Sequence, residues 1–178
     1  MVKKVTQIGD LVLRKKSENI RSELIKSARI KKLIINLTDT MRATGLVGIA
    51  APQIGVNLNI FLVEIRKTKF RKSVSDQSKL QVFINPKIIS YSKFQTILTE
   101  GCGSIANADL FGPVKRPAKV LVEACNERGQ KFSNKYSGLF AKVVQHEFDH
   151  LQGILCLDKF TDTRQVANKD NYLKLIRK

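Results

Sequence analysis

Two histidines and a glutamate form the pattern in this sequence that is best suited to chemistry. The only histidines, His146 and His150, lie four residues apart in the segment Gln145-His146-Glu147-Phe148-Asp149-His150. Positions i and i+4 share one face of a helix, so both imidazoles can bind a single metal ion. Glu147 is offset by about 100° around that helix, where it can take a proton from water activated by the metal. The spacing predicts a metal-assisted hydrolase; the alternative is two histidines that line a core or a surface.

The third metal ligand cannot be another histidine, and no glutamate follows Glu147. The candidates are a few aspartates and the three cysteines, Cys102, Cys125 and Cys156. Cys125 ends a predicted strand, and Cys156 fits a buried strand. We favour Cys102, because the glycines on both sides of it allow the backbone to approach a metal closely. Two His and one Cys leave an open coordination position, which is typical of catalytic zinc-type sites.

The elements that must position these residues follow from the hydrophobic pattern. Apolar residues at spacings of three and four predict helices over 21–43 and 138–152, with Gly153 placed to stop the second helix. Apolar runs predict strands over 59–65, 82–91 (with a bend or an edge position at Pro86), 119–125 and from Gln130, the last two joined by a hairpin turn. Strands between two helices without regular alternation indicate an α+β fold, with mixed or antiparallel strands packed around the central metal-binding helix.

Charge and composition restrict the class of protein. The chain has 178 residues, of which 43% are hydrophobic, which suits a single domain over 1–178 with 162–178 as a basic C-terminal tail or short helix. The formal net charge of +17 is spread along the chain, including a predicted exposed basic turn over 66–79. Without Trp or an aromatic stripe among the basic residues, this charge favours a solvated surface, and a ribosome- or RNA-binding face is the alternative.

The expected compartment follows from what the chain lacks. The apolar runs are too short to span a membrane, and the first residues contain no apolar stretch of a secretory signal. Three sparse cysteines argue against a disulfide framework. We therefore expect a cytoplasmic protein with no membrane partner.

Three segments together resemble the peptide deformylase family. They are Gly48-Ile49-Ala50-Ala51-Pro52-Gln53, Glu100-Gly101-Cys102-Gly103-Ser104 and the segment from Gln145 to Leu151. Their order matches, and the likeness extends from Val5 to Lys159. The resemblance implies removal of the N-formyl group from the N-terminal methionine of new polypeptides. Metal-bound water would attack the formyl carbon, with Glu147 as general base and then general acid.

The resemblance also implies roles for individual residues. Cys102, His146 and His150 would bind one divalent ion, usually Fe²⁺, with Zn²⁺, Ni²⁺ or Co²⁺ as alternatives. The Gln53 side-chain amide and the Gly103 backbone N–H would stabilise the oxyanion. The substrate side would comprise backbone positions that pair with an extended peptide and an apolar methionine pocket, involving Val47, Gly48, Ile49, Val143 and Val144.

Two positions depart from the family's motifs. Leu46 stands where the family usually has Gly, and Gly103 stands where it usually has Leu. These departures motivate an alternative in which the protein keeps the metal site but has lost or altered its activity. Glu100 and Arg116 resemble a buried pair that braces the cysteine loop. Asp149 either orients a ligand histidine or is solvated. The short N-terminus favours bacterial cytoplasm, with an organelle as the alternative.

Overall fold

The computed structural model describes residues 1–68 and 77–175. The predicted basic turn over 66–79 falls partly on residues 69–76, which lie outside these ranges, as does the C-terminal end at 176–178. The described residues form three α-helices: α1 (Ala28–Thr44), α2 (Gly138–Leu151) and α3 (Lys169–Leu175). They also form eight strands: β1 (Gly48–Ala50), β2 (Ile60–Val63), β3 (Gln81–Tyr91), β4 (Gln95–Gly101), β5 (Leu110–Pro117), β6 (Lys119–Cys125), β7 (Lys131–Ser137) and β8 (Ala167–Asn168).

The strands form two sheets. The larger has the order β1-β2-β3-β6-β7, and the smaller has the order β4-β5-β8. All pairings between these named strands are antiparallel. The predicted α+β class is confirmed. None of the helices in the described ranges has the length and apolar character that crossing a membrane requires.

The two helices α1 and α2 cover opposite faces of the larger sheet because its strands alternate with a period of two. Ile60 and Leu62 of β2 pack in one core with α1, whereas Phe61 and Val63 pack in another core with α2. On its other side, α2 is joined to the smaller sheet by Lys142, whose Nζ donates to the carbonyl oxygen of Thr96 at 2.6 Å. The helix that carries His146 and His150 therefore lies between the sheets, as predicted.

The helix ends are explained by local capping. The first helix begins at Ala28 and not at residue 21, because the Ser27 side chain accepts a hydrogen bond from the Ile30 N–H at 3.3 Å; residues 22–24 form a separate 3₁₀ turn. The second helix ends at Leu151, one residue before the predicted end, and Gly153 follows with φ of 74°.

Strand predictions succeeded where the apolar pattern was uninterrupted. Strand β6 has the predicted bounds, and the hairpin to β7 closes with the Asn126 N–H donating to the Gln130 carbonyl at 2.9 Å. At Pro86, β3 bends, since its register with β6 shifts between Ile84 and Lys87, but β3 is a central strand and not an edge. Strands β1, β4, β5 and β8 were not predicted.

Candidate metal centre and active site

Cys102, His146 and His150 converge on one point. One ligand atom from each lies within 4.8 Å of the others, and this is the one such group in the described ranges. The two histidines lie on α2, and Cys102 lies directly after β4. Its Sγ is 3.2 Å from His150 Nε2. Of the other two cysteines, Cys125 ends β6, and Cys156 begins a 3₁₀ segment, not the strand that the sequence indicated. The Cys156 side chain is buried and hydrogen-bonds with Cys102.

The donor set fits a divalent metal ion. A thiolate and two imidazoles are the ligands that Fe²⁺ and Zn²⁺ accept in proteins. One buried polar atom beside the site, Glu147 Oε2, has no hydrogen-bond partner. Most buried polar atoms in proteins are paired, so this unpaired oxygen indicates a place for a bound group.

The cluster is electrostatically prepared for a thiolate. A hydrogen bond with Cys156 and the nearby histidines hold the pKa of Cys102 well below its usual value, although burial opposes this shift. Burial alone would lower the pKa of His146, but its hydrogen bonds to Cys102 and Glu100 outweigh burial and raise the pKa. Metal binding needs the deprotonated sulfur, so the surroundings of Cys102 favour a ligand.

A chain of ion pairs supports His146 from behind. His146 Nδ1 lies 2.9 Å from Glu100 Oε2, which leaves Nε2 for the metal. Arg116 pairs with Glu100 at 2.5 Å and with Asp149 at 2.7 Å. Burial would raise the pKa of Glu100, but Arg116 and His146 lower it to about 2. The expected Glu100–Arg116 pair is present; Asp149 is paired with Arg116 and, at 3.2 Å, with Lys159.

Glu147 is buried beside the cluster. Burial raises its pKa to about 7, with the two histidines acting in the opposite direction. A Cβ added to Gly48 would stand 2.4 Å from Glu147 Oε1, so only glycine leaves room for this carboxylate. A carboxylate with a pKa near neutrality can both accept and donate a proton at physiological pH.

Gln53 faces the cysteine loop (residues 101–104). Its Oε1 accepts from the Ala50 N–H at 2.8 Å, which fixes the amide orientation. Its Nε2 therefore points at the loop, 3.3 Å from Ser104 Oγ and 3.7 Å from Cys102 Sγ. The amide donor lies next to the candidate metal ligand.

The N-terminal segment fastens the cysteine loop. Gln7 Nε2 donates to the Gly103 carbonyl at 2.9 Å, and its Oε1 accepts from the Asn107 N–H at 2.9 Å. The Ile8 N–H donates to the Ser104 carbonyl at 2.8 Å. The loop that carries Cys102 and Gly103 is thus hydrogen-bonded to the start of the chain.

Comparison with known proteins decides the family. The family profile described as Polypeptide deformylase matches residues 2–166. The chain belongs to this family. A Peptide deformylase of Pseudothermotoga lettingae is 41% identical over 177 residues, covering 99% of this chain and 94% of the relative. Peptide deformylase 1B, chloroplastic, of Solanum lycopersicum is 35% identical over 159 residues, covering 89% of this chain and 53% of that protein.

Solved deformylases share the fold as well. The Met-Ala-Ser-bound class I type b peptide deformylase of Acinetobacter baumannii has a TM-score of 0.85 and 28% identity, over 90% of this chain and 99% of the other. Membership of the polypeptide deformylase family confirms the predicted family and makes this protein an enzyme, a metal-dependent hydrolase of protein biosynthesis that removes N-formyl groups.

In this deformylase-family chain, β1 is an edge of the larger sheet. The Val47 carbonyl accepts from the Glu64 N–H at 2.8 Å, and antiparallel alternation then turns the N–H and C=O of Gly48 to the outer side. Among the described strands, none pairs with that side. The Ile49 side chain packs against α1 in the core, so it faces away from α2 and the metal cluster.

Sequence reasoning assigned no role to Gln7, Ser104 and Cys156, which all touch the site. Gln7 lies in the segment that resembled the family's start, and Ser104 closes the cysteine motif, so both positions carried a signal. Cys156 carried none, because its approach to Cys102 depends on how the 3₁₀ segment after α2 folds back.

Proposed function

We propose that this protein hydrolyses the N-formyl amide of methionyl peptides at the centre formed by Cys102, His146 and His150. The observation that carries this proposal is the convergence of the three ligands beside the buried carboxylate of Glu147. A divalent ion bound by such ligands lowers the pKa of water towards neutrality and polarises a carbonyl. The reaction adds water across the amide C–N bond and yields formate and a free amine.

Glu147 moves the proton in this proposal. Its raised pKa of about 7 suits a group that accepts a proton from the attacking water and then gives it to the leaving amine nitrogen. The same carboxylate serves both steps, because the amine leaves only when it is protonated and the proton taken from water supplies this need. Gly48 leaves the space that this carboxylate needs.

Gln53 and Gly103 would stabilise the negative charge on the formyl oxygen. The Gln53 amide is oriented in advance by its bond to Ala50, so it loses little freedom when the charge forms. The Gly103 N–H lies on the same loop as Cys102. Preorganised donors of this kind supply a large part of the rate in acyl transfer.

The outer edge of β1 would bind the peptide. The outward N–H and C=O of Gly48 can pair with an extended chain, as in strand addition. Val143 lies beside this edge, since its Cγ1 is 2.6 Å from the position of a Cβ on Gly48, and we place it in the wall of the methionine pocket. The solved relative that is bound to Met-Ala-Ser supports a methionyl peptide. Val47 would hold this edge in the sheet, because its carbonyl pairs with Glu64, and Ile49 would support the edge from the α1 side. Val144 would support the pocket from the core that contains α2.

We infer that Fe²⁺ is the native ion, with Zn²⁺, Ni²⁺ or Co²⁺ able to replace it. A thiolate next to Fe²⁺ is open to oxidation, so the activity of protein purified anaerobically with its own metal should decay faster in air than under nitrogen. Equal decay rates would contradict iron as the native ion.

The activity is tested by timing formate release from formyl-Met-Ala-Ser, with acetyl-Met-Ala-Ser as the matched control. The iron-loaded protein should release formate from the first peptide and leave the acetyl peptide intact, because the acetyl methyl group crowds the attacked carbon. Absence of formate from an anaerobic sample that holds one equivalent of metal would overturn the proposal.

We further propose that residues 1–178 act as one catalytic domain in the bacterial cytoplasm and meet nascent chains at the ribosome. The net charge of +17 and the basic residues from Lys174 onward support contact with ribosomal RNA. Binding to ribosomes should weaken steeply with salt and with Lys174→Glu. Salt-independent binding would contradict this contact.

A further inference from the structure

The two positions that depart from the family's motifs lie against each other. A Cβ added to Gly103 would stand 2.9 Å from Cδ1 and 3.5 Å from Cδ2 of Leu46. The Leu46 side chain therefore occupies the space in which a side chain at position 103 would begin. Gly103 does not have a left-handed backbone, so its conformation is permitted for other residues. What a larger residue lacks at this position is room.

Leu46 is itself fixed from behind. Its N–H donates to the Met41 carbonyl at 3.0 Å, at the end of α1, and its carbonyl accepts from Arg66 Nη2 at 2.9 Å. Arg66 is held in turn by Glu64 at 3.1 Å. The Leu46 side chain packs on the core that α1 forms with the larger sheet. Leu46 thus presents a fixed apolar wall to the cysteine loop.

Gly103 is the residue of the loop that most needs such a wall. Glycine has more backbone freedom than any other residue. Rotation of the backbone at Gly103 would widen the range of directions in which its N–H points. Gln7 holds the Gly103 carbonyl at 2.9 Å, and Val5 Cγ1 lies 3.6 Å from the Cβ position. Leu46 is the nearest of the groups that contact Gly103 on its Cβ side.

We propose that Leu46 is a positioning residue that holds the Gly103 N–H in the direction needed by the oxyanion. This inference rests on the proposed function, because it takes the Gly103 N–H as an oxyanion donor. Leu46 comes directly before Val47 and Gly48, so it also fixes the substrate edge of β1 relative to the cysteine loop. The two departures are then a compensated exchange that preserves activity, and not the mark of a lost one.

The first test is Leu46→Ala, with Leu80→Ala as the matched control. Leu80 is a half-buried leucine that packs on the same core, and it is not among the three nearest neighbours of the Cβ position on Gly103. We expect Leu46→Ala to lower kcat about tenfold, a fraction of the cost of deleting an oxyanion donor, with KM within about twofold. Exchange of the Gly103 amide hydrogen should accelerate in Leu46→Ala only, whereas Tm should fall in both variants.

The second test is the reciprocal exchange. Gly103→Leu alone should lose more activity than Leu46→Ala, because its side chain collides with Leu46. The double variant Leu46→Gly/Gly103→Leu should have a higher kcat than either Leu46→Gly or Gly103→Leu. In the double variant a leucine side chain again fills the contact, but it is attached at position 103. The same cycle in Tm measures the contact without any metal or substrate.

The outcomes separate this inference from the proposed function. If the parent releases formate but Leu46→Ala matches Leu80→Ala in kcat and in Gly103 exchange, the positioning role is wrong. Losses that simply multiply in the double variant also overturn it. If the parent releases no formate, the proposed function fails; the positioning role then stands only if Gly103 exchange and the Tm cycle still show the coupling.

Discussion

The carboxylate of Glu147 lies where a side chain on Gly48 would begin. A Cβ at Gly48 would stand 2.4 Å from Glu147 Oε1, although Gly48 has no left-handed backbone. Gly48 belongs to the edge strand β1, and Glu147 belongs to α2. The edge that we propose to bind substrate and the carboxylate that we propose to move protons are therefore in direct contact, and the contact depends on the missing methyl group.

Gly48→Ala should displace this carboxylate and abolish most activity. A displacement of about 1 Å in an active site can cost about 100-fold in rate, and we expect a loss in kcat of that order with metal content unchanged. The check is kcat beside metal analysis for Gly48→Ala. In the Glu147→Ala background, Gly48→Ala should cause little further loss. A large further loss there would mean that Gly48 acts through the peptide and not through Glu147.

Glu100→Gln should weaken metal binding. The variant replaces the anion between His146 and Arg116, and changes of this kind typically cost about 10–100-fold in metal affinity. Asp149→Asn is the matched control, because Asp149 pairs with the same arginine without touching His146. Competition with a chelator measures both affinities. Equal losses of metal affinity in the two variants would show that the ion-pair chain stabilises the fold and does not act through His146.

Stability should depend on the ionisation of Glu64 in acid. Hydrogen bonding to Arg42, and the charge of Arg66, lower the pKa of Glu64 from its usual 4.5, against the effect of burial. A lowered pKa in the folded state stabilises the protein above pH 4.5, and this contribution is lost as pH falls below that value. Glu64→Gln should therefore lower the free energy of unfolding at pH 7. We expect a decrease of about 1 kcal/mol or less, because Arg42 is exposed.

The difference in unfolding free energy between the parent and Glu64→Gln should decrease as the pH falls below the usual pKa of Glu64. Parallel denaturation curves of the parent and Glu64→Gln measure it. A difference that stays constant down to the acid range would mean that the amide disturbs packing near Leu46 and that charge is not the cause.

The C-terminal helix should stabilise the cysteine loop through aromatic packing. Tyr172 stacks on Phe111 with ring centroids 4.6 Å apart, and the Phe111 ring leaves no room for a Cβ on Gly101. Tyr172→Ala should cost about 1–2 kcal/mol of unfolding free energy, whereas Tyr172→Phe keeps the ring and should be near neutral. Equal losses in both variants would assign the effect to the hydroxyl.

The parts of the site that the sequence could predict are local. His146, Glu147 and His150 share one helix, so their spacing determines their relative directions before any tertiary structure forms. The β6–β7 hairpin is also local. Strand β5 was not predicted because Gly112, Pro113 and Pro117 interrupt its apolar pattern, and it becomes a strand through pairing with β4 and β8.

The non-local parts could not be predicted from this sequence. The contact between Leu46 and Gly103 joins residues that are far apart in the chain, so each position alone resembled a defect. Ile49 looked available for a methionine pocket until strand alternation turned it towards α1. The shift of the first helix from residue 21 to Ala28 follows from the Ser27 cap, which competes with an apolar pattern that continues on its N-terminal side.

The central claim is that Glu147 carries protons for hydrolysis at the Cys102–His146–His150 centre. The most direct test purifies the parent and Glu147→Ala anaerobically and measures bound metal and formate release from formyl-Met-Ala-Ser side by side. We expect about one metal ion per chain in both proteins, turnover in the parent and none above background in the variant, since one catalytic centre binds one ion. Metal without turnover in the parent, or undiminished turnover in Glu147→Ala, would contradict the claim.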